Sequence, residues 1–275
     1  MKNSRKINPL TILLVIIMTL FLVFPFYWTV VTSLKPDSEL YGLKVSFLPE
    51  EPTFESYSEL LGRFNYLHYF KNSFMIAGIT TVVTLTVSTM AAYAFSRYQF
   101  KGRRFFMCLF LTNNMFPSVL LLIPLFMIMR KLSILYTPWA LVLAYSTFTI
   151  PFTVWMMTGF INDLPSSLEE AAMIDGATRF GAFWSVVIPM LWPCLIATGV
   201  YIFMTAWNEY TFANLFTNPS SRTIPVALRT LIGEMGADWG LMAAGAVVSI
   251  VPILIMFFLV QKRLISGLTA GAVKG

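Results

Sequence analysis

The sequence predicts an all-α integral membrane protein with six transmembrane helices, and three observations carry that prediction. Of its 275 residues, 57% are hydrophobic and only 12% are charged, about half the charged fraction of an average soluble domain. The apolar residues come in runs of ~20, the length a helix needs to cross ~30 Å of hydrocarbon. The lysines and arginines stand mostly in short links between those runs. A soluble fold of this size has too little interior for so much apolar surface, whereas a bilayer replaces the polar exterior. The formal charge of +6 is not gathered on one solvated face, which argues against a nucleic-acid binder.

The first span is expected over residues 10–34. Lys2, Arg5 and Lys6 precede it, as in a signal peptide, but the run exceeds the ~7–15 residues of a signal core and no small-x-small cleavage site follows. It is read as a retained helix. The second, 72–95, is rich in threonine, whose hydroxyls can return to backbone carbonyls one turn earlier. The others are placed at 105–129, 137–160, 185–208 and 241–260. Pro25, Pro117, Pro124, Pro151, Pro189, Pro193 and Pro252 interrupt the runs, and each withdraws a backbone donor and bends its helix. Cys108 and Cys194 lie in apolar stretches without metal-like or disulfide spacing and read as packing residues.

Orientation follows from the cations. Arg97, Lys101, Arg103 and Arg104 crowd the link between the second and third spans. With the amino-terminal trio and Lys262, Arg263 and Lys274, they place that link and both termini in the cytoplasm; Arg130 and Lys131 are a small counter-signal. Residues 1–9 then form a cytoplasmic terminus, 10–260 the transmembrane domain and 261–275 a cytoplasmic tail. The acidic loop 35–71 and the loop 209–240 face outward. The loop at about 161–184 faces inward.

That inward loop carries the most specific pattern in the chain. Pro165 and Ser166 open a short helix, and Ser167 three residues before Glu170 suggests a capping box. Gly176 offers a positive φ to end it, and Thr178 caps a second helix that leads through Phe180, Phe183 and Trp184 back into the bilayer. The tip is small-sided at Ala171, Ala172, Gly176 and Ala177, with Glu170 and Asp175 at its edge. An interfacial anchor would be rich in Lys and Arg; this loop is acidic, with Arg179 alone against the acids.

The string EAAMIDGA, 170–177, with Phe183, Ile188 and Pro189 behind it, resembles the "EAA" loop of ATP-binding-cassette (ABC) importer permeases. MFPSVLLLIPLF at 115–126, AWNEYTFANLFT at 206–217 and RTIPVAL at 222–228 are similar to carbohydrate-uptake permeases. The ending GLTAGAVKG, 267–275, resembles the tail of their MalG-like branch. The resemblance implies a type I importer permease fold in a bacterial or archaeal cytoplasmic membrane. It further implies that Glu170, Ala171, Ala172, Asp175, Gly176 and Ala177 dock on an ATPase. The implied partners are a second, MalF-like permease, two ATP-binding subunits, an extracytoplasmic sugar-binding protein and the lipid bilayer. No metal or cofactor is expected on this chain, because ATP and Mg are used by the partner subunits; no G-x-x-x-x-G-K-[ST] string is present.

Asn113 and Asn114, in the third span, should face the bundle interior, either bridging helices or lining a sugar path. Asn208 and Glu209 close the fifth span, as an outer helix end or as contacts to sugar or binding protein. His68, the single histidine, is read as packing in a loop. Trp155, Trp192 and Trp207 are read as interfacial anchors or sugar platforms. Gly267, Gly271 and Lys274 belong to a tail too small-sided to order without a partner, expected to contact the ATPases. A gradient-driven transporter would place ionisable groups at mid-membrane, and none of the thirteen acids lies there. A membrane-embedded enzyme would need converging His, Glu, Asp or Cys, which are missing from the spans.

Overall fold

The computed structural model describes residues 8–233 and 236–272. The chain divides into two compact units, residues 1–67 with 228–251 and residues 68–227 with 252–275.

In the first unit, α1 (Pro9–Ser33) begins where Asn8 Oδ1 accepts from Leu10 N at 3.0 Å, with Pro9 in the first turn, where a missing N–H costs nothing. Its apolar side chains stay exposed as far as Tyr27; Trp28 is half-buried, and Val31 and Ser33 are buried. Two short helices follow, α2 (Asp37–Leu40) and α3 (Glu55–Leu61). Lys35 is buried yet satisfied: its ammonium donates to Ser46 O at 2.6 Å, lies 3.5 Å from Glu39 and sits over the Trp28 ring. Tyr66 is fully buried, its hydroxyl 3.1 Å from Gly245 O and 2.7 Å from Ser249 Oγ. A minimal hairpin pairs β1 (Ile232–Gly233) with β2 (Gly236–Ala237).

The second unit holds α4 (Tyr66–Arg97) from His68 onward, α5 (Arg103–Met115), a 3₁₀ turn (Ser118–Leu121), α6 (Leu122–Lys131) and α7 (Pro138–Asn162). Then come α8 (Ser167–Ile174), α9 (Arg179–Ala182), a π-helical turn (Phe183–Val187), α10 (Ile188–Trp207), α11 (Thr211–Phe216) and α12 (Ile224–Arg229), whose end enters the first unit. The last helix, α13 (Trp239–Ala272), contributes to both units. The π turn has a local cause. Pro189 has no N–H, and the Ile188 N–H reaches five residues back to Phe183 O.

Among the described residues, five helices are long and apolar enough to cross a membrane: Pro9–Ser33, Tyr66–Arg97, Pro138–Asn162, Arg179–Trp207 and Trp239–Phe258. The expected third span is not one continuous helix. Arg103–Asn113 and Ser118–Lys131 pass the same test only as a pair, bent by 99°. Phe116, forced away from helical dihedrals by the ring of Pro117, is extended at φ −82°, ψ 129°. Six spans therefore require counting the bent pair as one.

Where α4 meets α7, the threonines only partly follow the sequence reading. Thr81 Oγ1 donates to Ala77 O at 2.7 Å, but Thr84 pairs across the helices with Thr149 at 3.0 Å. Below this seam Ala92, Tyr93, Met157, Ile161, Phe183, Val187 and Leu191 form a closed core. Other expectations are corrected too. His68 lies in the first turn of α4, not in a loop, with Nε2 2.6 Å from Ser220 O. Trp207 is neither an anchor nor a platform: it is 3% exposed, stacked on Phe203 and edge-on to Phe70. Cys108 is exposed on α5, not packed. The tail is not without structure of its own, since helix continues through Gly267 and Gly271 to Ala272. Lys274 lies outside the described residues.

Candidate functional site

The loop between α7 and α10, which the sequence predicts to face inward, has a tip and a root. At the tip, α8 ends in a Schellman motif. The Ala177 N–H reaches back to Ala172 O at 3.0 Å and the Gly176 N–H to Met173 O at 3.1 Å, with Gly176 at φ +97°. Those are the two bonds that satisfy the last carbonyls of a helix whose next residue is left-handed. The string EAAMIDGA thus spells a local structure: a backbone bond from Ala177 to Ala172 closes the helix, and Gly176 takes the dihedral that side chains avoid. A Cβ on Gly176 would meet nothing within 4 Å in this chain, so the need for glycine here is conformational. Thr178 then caps α9, its Oγ1 accepting from Gly181 N at 3.0 Å. Glu170, Ala171, Asp175 and Gly176 are exposed, Ala172 and Ala177 half-buried, and Ile174 projects with 86% of its surface free.

The expected capping box is not formed. Ser166, not Ser167, is the cap residue of α8, with helical dihedrals and no side-chain hydrogen bond. The helix start is held from elsewhere, by Glu169, which sequence reasoning passed over. It is 6% exposed. Its Oε1 accepts from Arg97 Nε at 2.6 Å and its Oε2 from Tyr93 OH at 2.8 Å. Arg97 also donates to Leu164 O at 2.9 Å and Ser96 Oγ at 3.2 Å, and Ser96 Oγ donates to Asn162 Oδ1 at 2.6 Å. A buried ion pair is tolerable when the remaining donors and acceptors are met like this. Tyr93 packs on Phe183 with centroids 4.7 Å apart, and the Arg179 guanidinium lies over the Tyr98 ring at 5.2 Å. The end of α4 thereby grips both limbs of the loop. The available signal is Arg97 itself, which the charge pattern alone reads as a marker of the cytoplasmic side.

The other candidates lie apart from this loop. Asn113 Nδ2 is 3.4 Å from Thr147 O on α7, a bridge between helices; the side chain of Asn114 is outside the described residues. Asn208 Nδ2 turns back to Met204 O at 2.9 Å, ending α10. Glu209 Oε1 and Oε2 accept from the N–H groups of Phe212 and Ala213 at 2.9 and 3.0 Å, starting α11. Each has a structural partner. Among the described residues no three His, Cys, Asp or Glu side chains are grouped as a metal site would need.

Residues 84–264 match the family described as binding-protein-dependent transport system inner membrane component. The chain is 40% identical over 254 residues to the sulfoquinovosyl glycerol transport system permease protein SmoH of Agrobacterium fabrum, covering 92% of this chain and 89% of that one. It is 38% identical over 264 residues to the trehalose/maltose transport system permease protein MalG of Thermococcus litoralis, covering 94% of each. Among solved structures, a chain of a bacterial ABC transporter importing the polysaccharide alginate superposes with a TM-score of 0.79 at 24% identity, over 92% of this chain and 94% of that one.

Proposed function

Because this chain belongs to the family of binding-protein-dependent transport system inner membrane components, and so is a translocation subunit and not an enzyme, we propose that it carries a sugar, a di- or oligosaccharide, across the cytoplasmic membrane. Its similarity to permeases named for sulfoquinovosyl glycerol and for trehalose and maltose supports that class. It acts beside a second, MalF-like permease, receives its load from an extracytoplasmic binding protein, and rests on two ATP-binding subunits that use ATP and Mg. Both termini lie in the cytoplasm, residues 1–9 and 261–275 flanking a transmembrane region of 10–260, with the bent pair counted as one span.

The observation that carries this reading is the contrast within the inward loop. Its tip is small, acidic and solvent-facing, while its root is locked to α4 by a satisfied buried ion pair. A loop meant only to connect two spans needs neither feature. A projecting rigid tip suits insertion into a groove on a partner, with motion passed to α4 through Arg97. Asn113, Asn208 and Glu209 shape the path indirectly, by fixing helix ends and bridges, and the α13 tail at Gly267, Gly271 and Lys274 meets the ATPases.

The test is to co-express a tagged chain with the products of neighbouring genes. The ATP-binding subunits should co-purify, and a cysteine at Asp175 should become protected from a water-soluble maleimide when they are present. Sugar accumulation in liposomes by this chain without any ATPase would overturn the reading.

A further inference from the structure

Helix α7 contains Pro151, which has no N–H to give to the carbonyl of Thr147 one turn earlier. In a membrane interior such a carbonyl must find another donor, because no bulk water is at hand. The Thr147 hydroxyl does not help, since it donates to Leu143 O at 3.0 Å. The donor comes from another helix: Asn113 Nδ2 lies 3.4 Å from Thr147 O. Asn113 stands in the last turn of α5, where its own carbonyl accepts from Phe116 N at 3.2 Å. The next residues are those at which the chain bends by 99°.

We propose that Asn113 is a positioning residue whose carboxamide supplies the hydrogen bond that Pro151 withdraws, tying the break in the third span to the proline kink of α7. Two irregularities, each of which exposes backbone, are thereby fixed to one another. The bond holds the bent pair at a defined angle, and its role in transport rests on the permease reading above. Only a side chain with a hydrogen to donate can fill the position. A leucine of nearly the same shape has no hydrogen to donate, and an alanine at 151 would restore the missing backbone N–H and make the carboxamide redundant as the donor to Thr147 O, though not as the tie between the helices.

The experiment uses the full chain, with Cys108 and Cys194 replaced, in lipid nanodiscs. Spin labels sit at Leu109 and Met127, both exposed on either side of the bend, and pulsed electron resonance gives the distribution of distances between them. Asn113→Ala and Asn113→Leu should each widen that distribution at least twofold. Pro151→Ala combined with Asn113→Ala should leave the distribution wide, since the tie is still absent. It should recover the thermal midpoint that Asn113→Ala loses, because the Thr147 carbonyl is again satisfied, a rescue that a merely space-filling Asn113 would not show. A wild-type width for Asn113→Leu, or no rescue of the midpoint by Pro151→Ala, overturns the proposal. If Asn113→Ala does not accumulate in the membrane, accumulation of the double variant supports it and absence of both overturns it. The labels report without ATP or sugar, so failure of the transport reading leaves this outcome standing.

Discussion

Glu169 and Glu170 are neighbours in one eight-residue helix, α8, and live in opposite environments. Glu169 points to the root of the loop between α7 and α10, where Arg97 and Tyr93 take both of its oxygens out of water. Glu170 points to the tip and is exposed. Identical side chains with adjacent backbones therefore carry different loads: the first holds the loop to the end of α4, the second lies exposed at the edge proposed for docking. The difference teaches that an interaction motif is read by its exposed residues but works only if a buried anchor fixes it. A helix of two turns has little stability of its own, so the anchor is what makes the tip a rigid probe.

The comparison breaks hardest at the root. Arg97→Ala leaves the Glu169 carboxylate buried beside Tyr93 without its cation, a change that costs about 3–5 kcal/mol when one partner of a buried pair is removed. The thermal midpoint of the purified permease should fall, and recovery of ATPase on co-purification should drop to background, because the tip is no longer presented. An unchanged midpoint would mean the pair is slack in the membrane.

At the tip the effect is smaller and of another kind. Gly176→Val forces a β-branched residue into φ +97°, at about 1–2 kcal/mol, so ATPase recovery should fall about tenfold, since 1.4 kcal/mol is a factor of ten. The midpoint of the permease alone should move far less than for Arg97→Ala, because a side chain at 176 touches nothing in this chain. Smallest of all is Glu170→Lys. An exposed charge contributes about 1 kcal/mol or less, so its loss of ATPase recovery should be a few-fold and should depend on ionic strength. A salt-independent defect would place Glu170 in a buried contact instead.

What the sequence made legible follows the same division. The tip was readable because it is local: D-G-A after a helical run dictates a left-handed close, and Thr178 before a new helix dictates a cap. The long spans α1, α4, α7, α10 and α13 were readable because hydropathy and length suffice. The root was not, because Glu169 and Arg97 are 72 residues apart and the choice of which glutamate turns inward is made by how α8 sits against α4. The break in the third span was missed for a related reason. An apolar run states that a segment belongs in lipid, but Pro117 decides whether it runs straight, and other prolines here, such as Pro193, sit inside continuous helix. Trp207 shows the same limit, since aromatic character does not tell a packed ring from an exposed one.

The central claim, that adjacent glutamates divide anchoring from docking, is tested most directly by making one conservative substitution at each. Glu169→Gln and Glu170→Gln remove the same charge one residue apart, and each purified permease is scored for thermal midpoint and for ATPase recovered. The expected result is a lowered midpoint with lost recovery for Glu169→Gln, against an unchanged midpoint with weakened recovery for Glu170→Gln. Equal midpoints for the two variants, or a larger fall for Glu170→Gln, would contradict the account.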